Sequence, residues 1–270
     1  MGESGSLEAA VSESEIDEDT LDMVTHHLAN ASRVLFVTGA GISADSGLPT
    51  YRGIGGIYDT GPTEHGMSIE EALSGETFRR QPELTWKHIL EIESACRGAT
   101  FNPAHEMIAR LEEHLPEVWV LTQNVDGFHQ AAGSRNVIEI HGNLHGLRCT
   151  RCNYSTGNPD YARFTGVPKC PQCDGILRPT VVLFGEELPM KAVLQLHALV
   201  EQGFDLVMMV GTTAVFPYIA EPALKARYTG VPTVEINPGR SELSDFVDYR
   251  FHARAATVLP ALWKRLTHAA

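Results

Sequence analysis

Four cysteines constrain the fold of this chain more than any other feature, because they form two Cys-x-x-Cys pairs separated by seventeen residues. Each pair, Cys149 with Cys152 and Cys170 with Cys173, can bind one metal ion from a tight turn. The spacing is typical of a structural zinc site with four thiolate ligands, and such a site has no open position for a substrate. We therefore predict one zinc ion in a small ribbon module. Four reduced core cysteines are the alternative.

Length and composition are typical of a globular chain. The 270 residues, 43% of them hydrophobic, allow one large domain with an insertion or two modest domains. No apolar run is long enough to cross a bilayer, and the N-terminal region lacks the basic start and apolar centre of a secretory signal. Cysteines at metal spacing indicate a reducing compartment, and the fifth cysteine, Cys96, is expected to be a small buried hydrophobe. We expect a cytoplasmic location, with the nucleus as the alternative, and no association with membranes.

The charge of the chain argues against one class of partner. A formal net charge of −13 disfavours direct binding of nucleic acid, because that binding depends on Lys and Arg that neutralise phosphates. Eight acidic residues and no basic ones lie between Glu3 and Asp22. We interpret residues 1–22 as a solvated, partly disordered acidic arm. An attachment site for basic protein tails is the alternative.

Six apolar, β-branched runs bounded by glycines or turn residues recur along the chain, at 33–38, 118–122, 136–140, 205–210, 232–236 and 248–252. Their hydrophobicity is almost continuous, which is typical of strands buried on both faces of a parallel sheet. Helical patterns, with apolar residues three and four apart, lie between several runs, as at 103–114 and 190–202. This alternation predicts an α/β fold with a doubly wound parallel sheet.

Two stretches interrupt this alternation. Residues 48–66 are rich in glycine and proline, which predicts a loop, and a mostly helical stretch follows to about residue 97. The second stretch, 141–179, contains the paired cysteines. We predict that the two insertions together form a smaller second domain beside the sheet.

The first predicted strand runs into a GxGxxA motif made of Gly39, Ala40, Gly41, Ile42, Ser43 and Ala44. Glycines between a strand and a helix let backbone N–H groups approach a pyrophosphate, and the helix N-terminus favours its negative charge. The motif predicts phosphate or dinucleotide binding, with a structural glycine turn as the alternative. The acidic residue that a dehydrogenase presents after its second strand is missing, because Asp59 lies in the loop. We therefore do not expect the binding mode of a dehydrogenase.

Polar residues follow the next two predicted strands, at the edge of the sheet where ligands bind. Asn124 and Asp126 come directly after the second strand, and an amide and a carboxylate there can hold a carboxamide or a ribose. His141 ends the third strand, and an imidazole with a pKa of about 6.5 is suited to accept a proton from a hydroxyl. An Asx-capped turn and a histidine with one ordinary hydrogen bond are the alternatives.

Two later strands also end in small polar residues, at Gly211-Thr212-Thr213 and at Asn237-Pro238. Their hydroxyls and amide suit the ribose and adenine half of a dinucleotide. Turns that only terminate the strands are an equally good interpretation.

Taken together, these motifs resemble the sirtuins, a family of NAD-dependent protein lysine deacylases. The segments keep the family's order and spacing over about 220 residues. They are GAGISADSGLPTYRG from Gly39, TQNVDGFH from Thr122, IHGNL from Ile140, the paired cysteines, VVLFGEELP from Val181, GTT from Gly211 and EINP from Glu235. The resemblance implies a Rossmann-like NAD-binding domain over 23–52, 98–141 and 180–270. It also implies a cofactor lid and helical insert over 53–97 and a zinc ribbon over 142–179.

The resemblance further implies a reaction in which NAD is consumed rather than reduced. In the family, nicotinamide leaves the ribose, the acyl-lysine oxygen attacks the exposed carbon, and a histidine activates a ribose hydroxyl. The products are free lysine, nicotinamide and O-acyl-ADP-ribose. A protein mono-ADP-ribosyltransferase is the alternative function, and a non-catalytic NAD- or zinc-dependent binding module is the third class considered.

By motif position, the resemblance assigns the catalytic roles to His141 as the base, Asn124 as the group that orients ribose and a water, and Asp126 as the partner of the nicotinamide carboxamide. The other implied cofactor-binding residues are Gly39, Ala40, Gly41, Ile42, Ser43, Ala44, Asp45, Tyr51, Arg52, Gln123, Val125, Gly211, Thr212, Thr213, Asn237 and Pro238. An acylated lysine peptide is expected to add as an extended strand between two loops. The implied substrate-binding residues are Phe184, Gly185, Glu186, Glu187 and Val215, whose acidic pair suits basic tails.

The chain departs from the family pattern at three places. Tyr51 replaces the usual phenylalanine, and the segment 211–217 is one residue shorter, which alters the second peptide-binding loop. Members specialised for acidic acyl groups carry a tyrosine and an arginine three residues apart, and Ile89 and Ile92 occupy those positions. Without a cation, a succinyl carboxylate would be desolvated unpaired, at a cost on the order of several kcal/mol. We therefore predict acetyl or longer aliphatic acyl substrates.

Overall fold

The computed structural model describes residues 16–50 and 66–268, in which helices alternate with the strands of two sheets. The α-helices are α1 (Glu18–Asn30), α2 (Ile69–Ala72), α3 (Gly75–Arg80), α4 (Pro82–Cys96), α5 (Pro103–His114), α6 (Phe128–Ala132), α7 (Met190–Gln202), α8 (Pro217–Tyr228) and α9 (Ala255–His268). The strands are β1 (Arg33–Thr38), β2 (Glu117–Thr122), β3 (Val137–Glu139), β4 (Gly146–Cys149), β5 (Ser155–Gly157), β6 (Leu177–Pro179), β7 (Leu206–Val210), β8 (Thr233–Ile236) and β9 (Tyr249–Phe251).

Six strands form one parallel sheet in the order β3-β2-β1-β7-β8-β9. They are the six strands predicted from the apolar runs, and each end lies within one residue of its predicted position. Helices α5 and α7 have the predicted bounds. The prediction of an α/β fold with a doubly wound parallel sheet is confirmed.

The central strand β1 shows why the apolar runs lack alternation. Val34 and Phe36 pack with α1, α5 and α9 on one face of the sheet, whereas Leu35 and Val37 pack with α7 and α8 on the other. All four side chains are fully buried. Because helices cover both faces, every position of the strand has to be apolar.

The topology opens a crevice at the carboxyl edge of the sheet. The chain starts in the middle at β1, proceeds outward to β2 and β3, and later adds β7, β8 and β9 on the other side of β1. Ligands of such folds bind where the strand order reverses, here between β1 and β7. The register sets Thr38, Thr122 and Val210 level with one another, so the loops after them begin side by side.

A smaller antiparallel sheet, in the order β5-β4-β6, lies in the segment that contains the paired cysteines. Helices α2, α3 and α4 of the other insertion share one apolar cluster with it. Trp86 on α4 is 1% exposed and donates its indole N–H to the carbonyl of Leu177 at 3.0 Å. The two insertions therefore build the smaller unit that the sequence predicted.

The acidic segment predicted as an arm over 1–22 ends in a helix. Asp17 caps α1 by accepting the N–H of Thr20 at 3.0 Å. Leu21 is 3% exposed and begins an apolar stripe that packs against the main core. This periodic stripe outweighs the acidic composition, so the interpretation of residues 17–22 as part of a solvated arm is wrong. Residues 1–15 lie outside the described residues.

The predicted loop over 48–66 is described only at its two ends, and its residues 51–65 lie outside the described part of the chain. The helical stretch predicted to follow it corresponds to α2, α3 and α4. Across residues 16–50 and 66–268, no helix is both long and apolar enough to span a membrane.

Candidate active site

Hydrogen bonds join the loops at the carboxyl ends of the central strands. Gln123, after β2, donates its N–H to the carbonyl of Thr38 at 3.0 Å and its Nε2 to the hydroxyl of Thr212 at 2.7 Å. Asn237, after β8, donates Nδ2 to the carbonyl of Thr212 at 3.1 Å. Residues predicted to bind a cofactor thus form a continuous polar rim along the ends of β2, β7 and β8.

The glycine turn after β1 packs directly against the turn after β7. A Cβ at Gly41 would lie 2.7 Å from the Cα of Gly211, and one at Gly39 would lie 2.8 Å from the carbonyl oxygen of Gly211. Gly41 donates its N–H to that carbonyl at 2.8 Å, and Gly39 donates to Val210 at 3.1 Å. These two N–H groups therefore hold the two turns together, and the assignment of Gly39, Ala40 and Gly41 to a pyrophosphate stays a prediction. The next residues form a short 3₁₀ helix, Ala40–Ser46.

Ser43 links the polar residues after β2 to the glycine turn. Its Oγ–H donates to Oδ2 of Asp126 at 2.8 Å, and the same oxygen accepts from Nδ2 of Asn124 at 3.2 Å. Asn124 Nδ2 also donates to the carbonyl of Gly39 at 3.1 Å. Since both amide hydrogens are used inside the protein, Oδ1 is the atom that Asn124 can offer to a ligand. Ser43 is only 1% exposed, and its hydrogen bonds hold Asn124 and Asp126 in place.

Two buried histidines lie beneath this network, and the sequence did not predict them. Nδ1 of His105 accepts the N–H of Asn102, which leaves Nε2–H facing the hydroxyl of Ser43 at 3.5 Å. His129 meets His105 edge to face, with ring centroids 4.9 Å apart, and contacts Thr38 through Nε2. Burial lowers the pKa of His105 to about 4 and the pKa of His129 well below its usual value. Both rings are therefore neutral near pH 7.

A small cavity, with a volume of about 30 Å³, lies beside Asn124 and Asp126. Burial raises the pKa of Asp126, although the N–H of Phe128 and the hydroxyl of Ser43 partly offset this effect. The cavity walls also include Ala40, Ser43, Leu48, Pro49, Ile92, Ala95, Cys96 and Val125. A carboxylate and an amide set against apolar walls can form hydrogen bonds with a carboxamide.

Helix α4, which belongs to the small domain, forms part of the cavity wall. Ile92 and Cys96 both line the cavity. Burial raises the pKa of the Cys96 thiol to about 11, so the thiol is protonated near neutral pH. Ile89 is 3% exposed and packs into the small-domain core instead. Of the two positions that correspond to an acid-specific pocket, only Ile92 borders the cavity.

The hydrogen bonds of His141, which follows β3, define its tautomer. Nδ1 lies 3.0 Å from the carbonyl oxygen of Gln123, which can only accept, so Nδ1 carries a hydrogen. In the neutral ring, Nε2 is then the unprotonated nitrogen. Burial lowers the pKa of His141, and the carbonyl of Gln123 acts in the opposite direction. The ring is therefore mainly in the neutral form that a general base requires near pH 7.

Nε2 of His141 contacts a residue that the sequence did not predict. The hydroxyl of Tyr218, near the start of α8, lies 2.8 Å from Nε2. The ring of Tyr218 stacks on Phe216 with centroids 5.5 Å apart, and both rings meet the imidazole edge-on. Tyr218 and His141 are 77 residues apart, so no local spacing signals this contact.

Other residues predicted to bind the cofactor lie further from the cavity or have other partners. Ile42 is fully buried in the main core, so only its backbone can reach a ligand. Asp45 forms an ion pair at 2.6 Å with Arg254, the residue that precedes α9. Ala44 lies in the 3₁₀ helix after β1, and Thr213 and Pro238 lie in the loops that follow β7 and β8. Tyr51 and Arg52 lie outside the described residues.

Backbone pairing fixes the predicted peptide loop to the helical insert. Phe184 donates its N–H to the carbonyl of Leu73 at 3.0 Å, and its own carbonyl accepts the N–H of Gly75 at 2.9 Å. A Cβ at Gly75 would lie 2.7 Å from Cγ of Glu186, so the loop and the insert are in close contact. Gly185 is exposed and has a φ of +75°, which favours glycine at the tip of the loop.

Only one of the two glutamates in this loop offers a free charge. Glu186 accepts two bonds from the guanidinium of Arg178, at 2.6 and 2.9 Å, and a third from the N–H of Leu183 at 2.9 Å. The expectation of an acidic pair for basic tails is therefore corrected, because Arg178 already neutralises Glu186. Glu187 is exposed, and Val215, on the other predicted loop, is 46% exposed.

The four cysteines form one cluster. The sulfur of Cys149 lies 3.5 Å from that of Cys173, the sulfur of Cys152 lies 3.6 Å from that of Cys170, and all four lie within 4.8 Å of one another. A tetrahedral zinc ion with Zn–S bonds of about 2.3 Å needs sulfurs that are about 3.8 Å apart. The donor set and its geometry fit the predicted structural zinc ion.

Comparison with known families identifies the fold. A family model described as the Sir2 family matches residues 39–217, from the glycine turn to the start of α8. The chain belongs to the Sir2 family. A similar Sir2 relative is NAD-dependent protein deacylase 2 of Pseudomonas aeruginosa, which is 50% identical over 240 residues. That match covers 88% of this chain and 93% of the relative.

Solved Sir2 structures have the same fold. A Sir2 homologue in complex with NAD matches with a TM-score of 0.81 at 34% identity, over 92% of this chain and 94% of that chain. A Sir2 complex with a p53 peptide and NAD⁺ matches with a TM-score of 0.80 at 28% identity, over 93% of this chain and 99% of that chain. These matches span the large sheet and the small domain together.

Proposed function

We propose that this Sir2 chain removes acyl groups from protein lysines in a reaction that consumes NAD and yields nicotinamide and O-acyl-ADP-ribose. The observation that carries the proposal is the tautomer of His141, whose backbone bond at Nδ1 leaves Nε2 as the proton acceptor. Asn124 and Asp126 lie along the same edge of the sheet, held by Ser43. The deacylase relative and the NAD complex of a Sir2 homologue support the same activity.

The cavity at the carboxyl edge suits the nicotinamide end of NAD. When bound, NAD supplies a ribose carbon that becomes electrophilic as nicotinamide leaves. In this proposal Asp126 accepts the amide hydrogens of the carboxamide, and Oδ1 of Asn124 accepts from a ribose hydroxyl or a water. The apolar walls, which include Ile92, exclude water from the reacting carbon.

His141 then removes a proton from a ribose hydroxyl through Nε2. The carbonyl of Gln123 stabilises the positive charge that develops on the ring, because it accepts the hydrogen on Nδ1. Burial keeps the ring neutral before the transfer by lowering its pKa. A positioned general base of this kind contributes about 10²- to 10⁴-fold to a rate.

The zinc ion has a structural role in this proposal. Cys149 ends β4, Cys152 lies in the turn after it, and Cys170 and Cys173 precede β6, so one ion would join the two ends of the ribbon. Four thiolates fill the coordination shell of the ion. No step of the reaction needs it.

The activity is tested by incubating the protein with NAD and an acetylated lysine peptide and weighing the products. Deacylated peptide together with nicotinamide and O-acetyl-ADP-ribose is the expected result. A peptide heavier by one ADP-ribose would instead support the mono-ADP-ribosyltransferase. Unchanged peptide and unchanged NAD would support a non-catalytic binding module.

His141→Ala tests the proposed base. Turnover should fall by about 10²- to 10⁴-fold, while zinc content, thermal unfolding and NAD binding stay close to those of the parent. His197→Ala, at an exposed position of α7, is the matched control and should retain full activity. A fully active His141→Ala variant would remove His141 from its role.

We propose acetyl or longer aliphatic groups as substrates, because the position that borders the cavity is the apolar Ile92. On one peptide sequence, the deacetylation rate should exceed the desuccinylation rate by tenfold or more. The free-energy cost of burying the unpaired succinyl carboxylate is at least as large as the free energy that a tenfold rate difference represents. Ile92→Arg should raise the ratio of desuccinylation to deacetylation. Equal rates for the two acyl groups in the parent would contradict this preference.

The proposed partners are acylated lysine peptides or proteins in the cytoplasm. The net charge of −13 argues against direct binding of nucleic acid or of an anionic membrane surface. Reduced thiols at metal spacing favour a reducing compartment. Tight binding of duplex DNA at physiological salt would contradict the expectation that the chain does not bind nucleic acid directly.

A further inference from the structure

Tyr218 occupies the nitrogen of His141 that the proposed reaction needs. The carbonyl of Gln123 takes the hydrogen on Nδ1, and the hydroxyl of Tyr218 lies 2.8 Å from Nε2. An unprotonated imidazole nitrogen has one lone pair, in the plane of the ring, and accepts one strong hydrogen bond. Tyr218 and a ribose hydroxyl therefore compete for Nε2.

The surrounding rings hold Tyr218 in this position. Phe216 stacks on it with an interplanar angle of 13°, and Pro217 fixes the backbone at the first residue of α8. Burial raises the pKa of Tyr218 to about 12, so its hydroxyl keeps its hydrogen near neutral pH and can donate it. Tyr228, on the same helix, is by contrast 92% exposed.

We propose that Tyr218 is a positioning residue for the base: its hydroxyl holds Nε2 of His141 in the unprotonated state and yields that nitrogen to a ribose hydroxyl during the reaction. The inference rests on the proposed deacylase function. A hydrogen bond donated to Nε2 stabilises only the neutral ring, because the protonated ring has no lone pair there. Tyr218 thus keeps the base neutral to a lower pH than burial alone.

Other ionisable groups near His141 do not provide this effect. Asp126 accepts from Ser43, and Glu139, two residues before His141, accepts from Asn143 at 2.6 Å. Glu221 on α8 is exposed. Within the described ranges, no ion pair involves His141. The Tyr218 hydroxyl is therefore a donor to Nε2 that can be removed without changing any charge.

The test compares Tyr218→Phe, which removes only the hydroxyl, with Tyr228→Phe. In nuclear magnetic resonance titrations without NAD, the pKa of His141 should move upward in Tyr218→Phe and stay unchanged in Tyr228→Phe. In the pH profile of kcat/KM, the acidic limb should be the same in Tyr218→Phe and in the parent, because there the ring starts protonated and without the bond to Tyr218. Above that limb, where the ring is neutral in both proteins, kcat/KM of Tyr218→Phe should be about threefold to tenfold higher, because the ribose hydroxyl no longer displaces one hydrogen bond from Nε2.

Two results would overturn the proposal. An unchanged His141 pKa in Tyr218→Phe would show that the hydroxyl does not control the ring. Equal loss of activity at every pH would put the hydroxyl on the proton path itself. If the parent deacylates but the pKa of His141 is the same in Tyr218→Phe, only the role of Tyr218 is rejected. If the parent does not deacylate, the proposed function is rejected and the role of Tyr218 with it.

A second measurement does not depend on the variant. Nitrogen-15 chemical shifts of the imidazole in the parent protein report which ring nitrogen carries the hydrogen. The expected result is a protonated Nδ1 and an unprotonated, hydrogen-bonded Nε2 in His141. A protonated Nε2 in the neutral ring would overturn the proposal even if Tyr218→Phe failed to fold.

Discussion

The two sheets of this Sir2 chain are stabilised in different ways. The large parallel sheet is covered by helices on both faces, and side chains such as Phe36 and Met208 are fully buried. The small antiparallel sheet has strands of only three or four residues, and β5 is largely exposed. Its order rests on the cluster around Trp86 and on four thiols gathered at one point. Burial between helices thus stabilises the large sheet, whereas the small sheet depends on a smaller apolar cluster and on a four-thiol site that fits a zinc ion.

The candidate site depends on both regions. The rim residues come from loops of the large sheet, whereas α4 supplies one wall of the cavity. Arg178, which is on β6 of the small sheet, holds Glu186 of the predicted peptide loop. Loss of order in the small sheet should therefore reduce activity without unfolding the large one.

Among the changes considered, removal of zinc should have the largest effect, and this effect should be confined mainly to the small sheet. Apparent binding energies of structural zinc sites are about 10 to 16 kcal/mol and act as folding energy. Cys170→Ser should lose zinc, disorder the small sheet and change the fluorescence of the buried Trp86, measured in a background in which Trp119 and Trp263 are replaced by phenylalanine. The far-ultraviolet dichroism of the large domain should change much less.

Cys96→Ser is the control for this prediction, since Cys96 is not part of the thiol cluster. It should keep one zinc ion per chain by metal analysis. A Cys170→Ser protein with unchanged tryptophan fluorescence would mean that the small sheet does not need the metal.

Truncation of a side chain in the core of the large sheet should destabilise that sheet and leave the zinc site intact. Phe36→Ala removes a fully buried ring from β1 and should lower the free energy of unfolding by about 3 to 5 kcal/mol. Zinc content should remain at one ion per chain, because the cysteines lie in the other sheet. Urea unfolding and metal analysis together check both statements, and loss of zinc in Phe36→Ala would show that the two regions fold as one unit.

The sequence was sufficient to predict the large sheet and the cysteine cluster. Strands such as β1 are buried on both faces, so each leaves an uninterrupted apolar run, and α5 leaves a clear helical period. The cysteine spacing is a local property of the chain. The glycine turn, Asn124, Asp126 and His141 could be assigned because they directly follow predicted strands.

Contacts between distant segments could not be predicted. Tyr218 reaches His141 across 77 residues, and nothing in the local sequence distinguishes it from the exposed Tyr228. His105 and His129 are polar residues at positions where a helix faces the core, which a pattern of apolar residues does not reveal. The glycine motif predicted a phosphate site, but it did not reveal that the N–H of Gly39 donates to Val210 and the N–H of Gly41 donates to Gly211.

Acid should destabilise the large domain through its buried histidines. The pKa of His105 is about 4 in the folded protein, below the usual value of 6.5. Above pH 6.5 the ring is neutral in both states, and as the pH falls toward 4 only the unfolded state takes up the proton. Stability therefore decreases over that range, by about 3 kcal/mol for this group alone. His129, whose pKa is also lowered, acts in the same direction.

Urea unfolding of the parent and of His105→Gln at pH 7 and at pH 4.5 measures this contribution. The parent should lose more stability between the two pH values than the variant does. His197→Ala, at an exposed site, should follow the parent. Equal losses in the parent and in His105→Gln would contradict a neutral, buried His105.

Loss of a helix cap should have the smallest effect and can be compared between the two regions. Asp17 caps α1 in the large domain by accepting the N–H of Thr20, and Ser74 caps α3 in the small domain by accepting the N–H of Thr77. Replacing either by alanine should cost about 1 kcal/mol. If the two regions are stabilised separately, Ser74→Ala should shift the unfolding transition seen by Trp86 fluorescence, whereas Asp17→Ala should shift the transition seen by far-ultraviolet dichroism. Identical shifts of both signals by both variants would mean that the sheets unfold together, whatever stabilises each of them.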